Sequence, residues 1–101
     1  MELKGLYNDK TKRNIAMRGV TILSNVKQVY STLYPNDTYF IECIASDLTF
    51  VQLLAKMQEG QNFYDVLGAF DSLVRERIFG MLAKLTNVDY DTIYYLWLGK
   101  S

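Results

Sequence analysis

The sequence predicts an all-α protein, a single compact bundle of four or five helices that ends in a helix-turn-helix-like corner. Apolar residues recur three or four positions apart along most of the chain, which is the spacing of one helix face. Turn and capping residues divide this pattern into segments of helical length. The composition of residues 38–45 would suit a strand, but no other segment is available to pair with it, so a helix is predicted there too.

Length and charge narrow the class of protein. The chain has 101 residues, half of them hydrophobic, which is enough for one domain around one core. Lys and Arg number 11, as do Asp and Glu, and the zero net charge argues against binding nucleic acid by charge alone. Residues 1–30 hold six basic and two acidic side chains, so the rest of the chain is acidic.

The first helix is predicted over residues 10–33, after a short arm formed by residues 1–9. Its apolar residues fall within about a third of a helical wheel drawn at about 3.6 residues per turn. They are Ile15, Ile22, Leu23, Val26, Val29, Tyr30 and Leu33. Gly19 lies on the same side, which predicts that another helix passes close to it.

Four cations lie in the first half of this helix, where the helix dipole disfavours positive charge. They are Lys10, Lys12, Arg13 and Arg18. The first interpretation, which we favour, is an ordinary solvated surface. The second is a set of contacts to nucleic acid or to an acidic partner.

The middle of the chain is divided by turn residues. Pro35 ends the first helix, because the residue before a proline leaves the helical conformation. Residues 38–59 form one or two helices that end before Gly60, and residues 62–85 form the next helix, capped by Asn62. Gly68, Gly80 and a restart at Asp71 leave open whether residues 62–85 are one helix or two.

Little in the sequence indicates chemistry. Histidine is absent, which removes the commonest general base and transition-metal ligand, and the six glycines form no phosphate-binding loop. We therefore expect no enzyme, no metal and no cofactor. Cys43, flanked by Ile41 and Ile44, is predicted to be a buried, reduced thiol. No segment has the apolar length of a signal peptide or membrane span, so we expect a cytoplasmic protein without a membrane partner.

The end of the chain is predicted to form two helices joined by a tight turn. Ile78, Met81 and Leu85 lie on one face of the first of these helices. Asn87 follows, and asparagine tolerates the left-handed conformation that ends many helices. Asp89 is then placed to cap the last helix, residues 89–98.

This corner resembles a repressor-type helix-turn-helix over about a fifth of the chain. Ala83 stands where that motif has a small residue, Asn87 where it turns, and Val88 where it has an aliphatic residue; Ile93 and Leu96 would face the core. The resemblance implies a DNA-binding transcriptional regulator with Lys10, Lys12, Arg13 and Arg18 on phosphates. In such a motif the second helix enters the major groove of DNA. The face that would lie there carries Asp89, Tyr90, Asp91, Tyr94, Tyr95 and Leu98.

A protein-binding role competes with this implication, and the sequence favours it. The last helix is apolar nearly all round, and tyrosine and tryptophan concentrate binding energy at protein interfaces. We therefore expect a small regulator, inhibitor or adaptor, or a homodimer formed through this helix. The predicted partner-binding residues are Tyr90, Asp91, Tyr94, Tyr95 and Leu98. The carboxylates among them disfavour DNA, because they would repel its phosphates.

Overall fold

The computed structural model describes residues 9–99, so the predicted arm lies outside the described residues except for Asp9. Within this range the chain forms six α-helices, one π-helical segment and no strand, which confirms the predicted all-α class with more helices than expected. They are α1 (Asp9–Ser24), α2 (Val26–Leu33), the π-helical segment (Phe40–Ile44), α3 (Leu48–Gln58), α4 (Phe63–Leu67), α5 (Ser72–Thr86) and α6 (Tyr90–Leu98).

The long helix predicted over residues 10–33 is interrupted at Asn25, so this prediction needs correction. Asn25 has a non-helical backbone (φ −122°, ψ 36°), and α2 begins immediately after it. The Ser24 hydroxyl and the Asn25 amide donate hydrogen bonds to the carbonyl oxygens of Val20 and Thr21, one turn earlier. Such side-chain bonds compete with the helix ladder and bend helices. The apolar periodicity continues through the bend, which is why the sequence pattern conceals it.

Residues 40–44 are helical, as predicted, but are wound as a π-helix. The Ala45 N–H donates to the Phe40 carbonyl at 2.7 Å, five residues back rather than four. This wider turn buries Phe40 and Ala45 and leaves Cys43 exposed. The prediction of a buried Cys43 is therefore wrong, because two isoleucine neighbours do not fix which side of a π-helical turn faces the core.

Residues 62–85 form two helices rather than one. The side chain of Asn62 accepts a hydrogen bond from the Tyr64 N–H and begins α4, and that of Asp71 accepts from the Leu73 N–H and begins α5. Between them the chain turns so that Phe70 packs on Phe50 of α3, with ring centroids 5.2 Å apart. The break thus changes the direction of the chain while Phe70 stays buried in the core.

The core forms where α1 packs against α3, α4 and α5. Gly19 lies where α4 approaches α1, as the sequence predicts, because a Cβ at this position would overlap the buried Phe63 ring. The Tyr64 hydroxyl donates to the Lys12 carbonyl at 2.7 Å and joins the same two helices. None of the helices within residues 9–99 is both long and apolar enough to cross a membrane.

A polar network joins α2 to α5 through the loop between α2 and the π-helical segment. Asp37 accepts from the Tyr30 hydroxyl at 2.5 Å and pairs with Arg77 at 3.1 Å. Burial, followed by the hydrogen bond to Asp37, raises the pKa of Tyr30 to about 12. The Tyr30 hydrogen bond, followed by the one from Arg77, holds the pKa of Asp37 below its ordinary value.

Candidate interaction surface on the last helix

The corner between α5 and α6 spans three residues. Asn87 has left-handed backbone angles (φ 58°, ψ 31°) and ends α5, which is the geometry predicted from the sequence. Asp89 caps α6, because its carboxylate accepts from the Thr92 N–H at 3.1 Å and from the Thr92 hydroxyl at 2.8 Å. Gly99, also left-handed (φ 76°), ends α6. The last helix is thereby held between two defined ends.

One side of α6 holds this helix on the rest of the fold. Thr92, Ile93 and Leu96 are buried, and α6 packs against α5 and α4. Ala83, the small residue of the corner, is partly buried against the core. Only part of the apolar surface of α6 is therefore buried within the fold.

The opposite side of α6 carries exposed apolar residues, and we call it the outer face. It consists of Tyr90, Asp91, Tyr94, Tyr95 and Leu98, which are the partner-binding residues predicted from the sequence. The four apolar members are 37–45% exposed. Asp89 is also exposed, but its carboxylate is engaged in the cap. The structure thus brings the whole predicted set onto one accessible face.

A groove of 430 Å³ runs between this face and α5. Its base is the buried ring of Phe79, whose centroid lies 5.8 Å from Tyr90, 6.3 Å from Tyr94 and 5.7 Å from Trp97. The Tyr90 and Tyr94 rings meet Phe79 edge to face, an arrangement that favours fixed ring positions. The groove therefore presents a defined aromatic surface.

Charged side chains from α5 and α6 also line the groove. Arg75 lies 4.3 Å from the Trp97 ring centroid and donates to the Phe70 carbonyl at 2.7 Å, so its guanidinium is engaged within the chain. Glu76 and Asp91 are exposed, and neither forms an ion pair with another residue of the described range. Burial, followed by the nearby Glu76 carboxylate, raises the pKa of Tyr90.

The residues that α5 contributes were not predicted from the sequence as part of a site. No local pattern in the sequence connects Phe79 or Glu76 of α5 with the last helix. The corner at Asn87 was the available signal, because a short αα-turn folds α6 back onto the preceding helix. The sequence does not give the angle between the helices. This angle places Arg75, Glu76 and Phe79 beside the last helix in one groove.

The four cations of α1 do not form one cluster. Lys12 and Arg13 border a hollow beside α4, and the Lys12 ammonium lies 5.3 Å from the Tyr64 ring centroid. Arg18 instead donates to the Leu85 carbonyl at 2.6 Å, at the end of α5, and borders a hollow with Val88. Lys10 is exposed at the start of α1. Only Arg18 is therefore placed beside the corner.

A second cleft, of 310 Å³, lies beside the π-helical segment, and its lining includes the exposed Cys43. Between Asp9 and Gly99, no three acidic or cysteine side chains converge as a metal ion would require. A comparison of the chain with known protein families, curated proteins and solved structures finds no match.

Proposed function

We propose that this chain is a small, non-enzymatic protein-binding module of the cytoplasm that acts as a regulator, inhibitor or adaptor through the outer face of α6. The observation that carries this proposal is the grouping of Tyr90, Tyr94, Tyr95 and Leu98 on one exposed helix face. A contiguous exposed apolar patch on a protein surface often marks an interaction site, whereas single exposed apolar residues are normal.

The residue types and their rigidity also support a protein partner. Tyrosine buries a large area at low cost in conformational entropy and is enriched among the residues that dominate binding energy. The Phe79 ring supports Tyr90 and Tyr94 from below, and both ends of α6 are fixed. Because Thr92, Ile93 and Leu96 hold α6 on the core, the exposed parts of the outer face remain accessible to a partner.

The partner can be another protein or a second copy of the chain. Size-exclusion chromatography with light scattering over a concentration series tests the second copy, and a homodimer through α6 would dissociate in Tyr95→Ala. For another protein, a displayed library of helical peptides is selected against the immobilised parent chain. The peptides recovered are then tested on Tyr94→Ala and Tyr95→Ala, with Tyr39→Ala as the matched control.

Tyr39 serves as the control because it is a tyrosine that is 61% exposed and borders the other cleft. We expect most selected peptides to lose binding to Tyr94→Ala and Tyr95→Ala and to keep binding to Tyr39→Ala. If the peptides bind all three variants equally, the binding surface lies elsewhere and the proposal is refuted.

DNA binding is the second candidate, and the left-handed Asn87 with Arg18 beside the corner favours it. Against it, the outer face carries Asp91 and no cation, and cations supply most of the affinity for DNA phosphates. If the chain is a DNA-binding regulator, it binds duplex DNA at low salt, and Arg13→Ala and Arg18→Ala weaken binding to all sequences. We expect no such binding.

A further inference from the structure

The groove beside the outer face combines aromatic rings with carboxylates, and this combination restricts what can bind there. We infer that the segment bound in this groove presents a lysine or arginine side chain to Glu76 and Asp91, on an otherwise apolar surface. This inference rests on the proposed function, because it names the chemistry of the partner at the same surface.

Charge complementarity is the first argument. Glu76 on α5 and Asp91 on α6 both line the groove, are exposed, and form no ion pair with other residues of the described range. The one cation in the lining, Arg75, is held on Trp97 and on the Phe70 carbonyl. A cationic partner side chain would therefore meet two carboxylates that form no ion pair within the described residues and that outnumber the one cation of the groove.

The aromatic rings supply the second argument. Cations bind to the faces of electron-rich rings, and Arg75 already does so on Trp97 in this groove. The Tyr90 and Tyr94 rings touch Phe79 edge to face and carry no cation from the described chain. A lysine or arginine side chain would lay its methylene groups on these rings and direct its charge toward the carboxylates.

The same charges argue against a symmetric dimer through this groove. A two-fold interface places the same patch of both copies face to face. Such an interface would enclose four carboxylates, from Glu76 and Asp91 of both copies, and only two cations of the groove lining, the two Arg75 side chains, which are each engaged within their own chain. The occupant that we infer is therefore a different protein with a cationic, apolar segment.

The test uses a displayed helical-peptide library with equal numbers of Lys, Arg, Asp and Glu at its variable positions, selected against the parent chain. Peptides that depend on Tyr94 are retained, and their affinities are measured for the double variant Glu76→Gln, Asp91→Asn. The matched control is Glu42→Gln, Glu59→Gln, which removes two exposed carboxylates outside the groove. Glu76→Gln alone is also measured, because Asp91 lies in the first turn of α6, and circular dichroism checks the fold of each variant.

We expect Tyr94-dependent peptides to be enriched in Lys and Arg, to bind the groove variant about three- to tenfold more weakly, and to bind the control as tightly as the parent. Tyr94-dependent peptides without this enrichment, and with equal affinity for the groove variant, would overturn the inference and leave the proposed function standing. A selection without Tyr94-dependent peptides would overturn both.

Discussion

At the scale of single residues, two positions decide how the helices meet. Gly19 lets α4 approach α1, because a side chain there would occupy the space of the Phe63 ring. Asp37 connects α2 and α5, because it accepts from Tyr30 and pairs with Arg77. The Gly19 contact is steric and is tested by adding a side chain. The Asp37 network is electrostatic and is tested by the dependence of stability on pH.

Gly19→Ala should destabilise the protein by about 1–2 kcal/mol, since overpacking the α1–α4 contact outweighs the gain in helix propensity. Gly80→Ala is the matched control, because a Cβ there would lie 3.7 Å from the Tyr34 hydroxyl oxygen, an ordinary contact. The control should be as stable as the parent or more stable by up to about 1 kcal/mol. Urea unfolding followed by circular dichroism measures both, and equal stability of the two variants would contradict the close approach of α4.

The Asp37 network should make stability depend on pH in the acid range. Because the folded state lowers the pKa of Asp37 from 3.8, its contribution is complete above that value and is lost as the pH falls through the lowered one. Asp37→Asn should therefore unfold at lower urea concentration than the parent at pH 7, and the difference should shrink in acid. A difference that stays constant from pH 7 into the acid range would show that Asp37 does not stabilise the fold through its charge.

At the scale of the helices, the corner between α5 and α6 decides where the outer face points. Asn87 is the one non-glycine residue with positive φ among residues 9–99, and Asp89 begins α6 two residues later. A change in the turn would rotate α6 and separate Tyr90 and Tyr94 from Phe79. The geometry of the surface therefore depends on a residue that lies outside it.

Asn87→Val should lower stability by about 1–3 kcal/mol, because a β-branched residue strongly resists the left-handed conformation. Asn87→Gly should be as stable as the parent or slightly more stable, since glycine adopts this conformation freely. Thermal unfolding of the two variants provides the comparison. If Asn87→Val melts with the parent, the turn does not need a left-handed residue at this position.

The helices differ in how well the sequence predicts them. The end of α5 and both ends of α6 are readable from the sequence. Asn87 and Gly99 tolerate the left-handed conformation that ends helices, and Asp89 is a favoured capping residue at a helix start. The break at Asn25 is not readable, because the apolar stripe continues through it and the competing side-chain bonds depend on the folded backbone. The π-helical segment is not readable either, because its wider turns depend on the folded backbone. The exposure of Cys43 therefore cannot be predicted from its isoleucine neighbours.

At the scale of the whole molecule, the candidate surface combines a part that the sequence predicts with a part that only the fold creates. The resemblance to a helix-turn-helix groups Tyr94, Tyr95 and Leu98 on one helix face, and all three are exposed on the outer face of α6. Phe79 and Glu76 join them through the packing of α5 against α6, which no local pattern encodes. The aromatic residues are thus foreseeable, whereas the acidic groove is not.

The measurement that tests the central claim most directly is the affinity of one selected peptide for the parent, Tyr95→Ala and Tyr39→Ala, at low and high salt. We predict that Tyr95→Ala weakens binding by about 1–4 kcal/mol at both salt concentrations, because truncating an aromatic anchor removes apolar contact. Tyr39→Ala should bind within about 0.5 kcal/mol of the parent, as expected for a surface residue outside the interface. Equal losses in the two variants, or salt-sensitive binding to duplex DNA that Arg13→Ala and Arg18→Ala abolish, would contradict a protein-binding role for the outer face of α6.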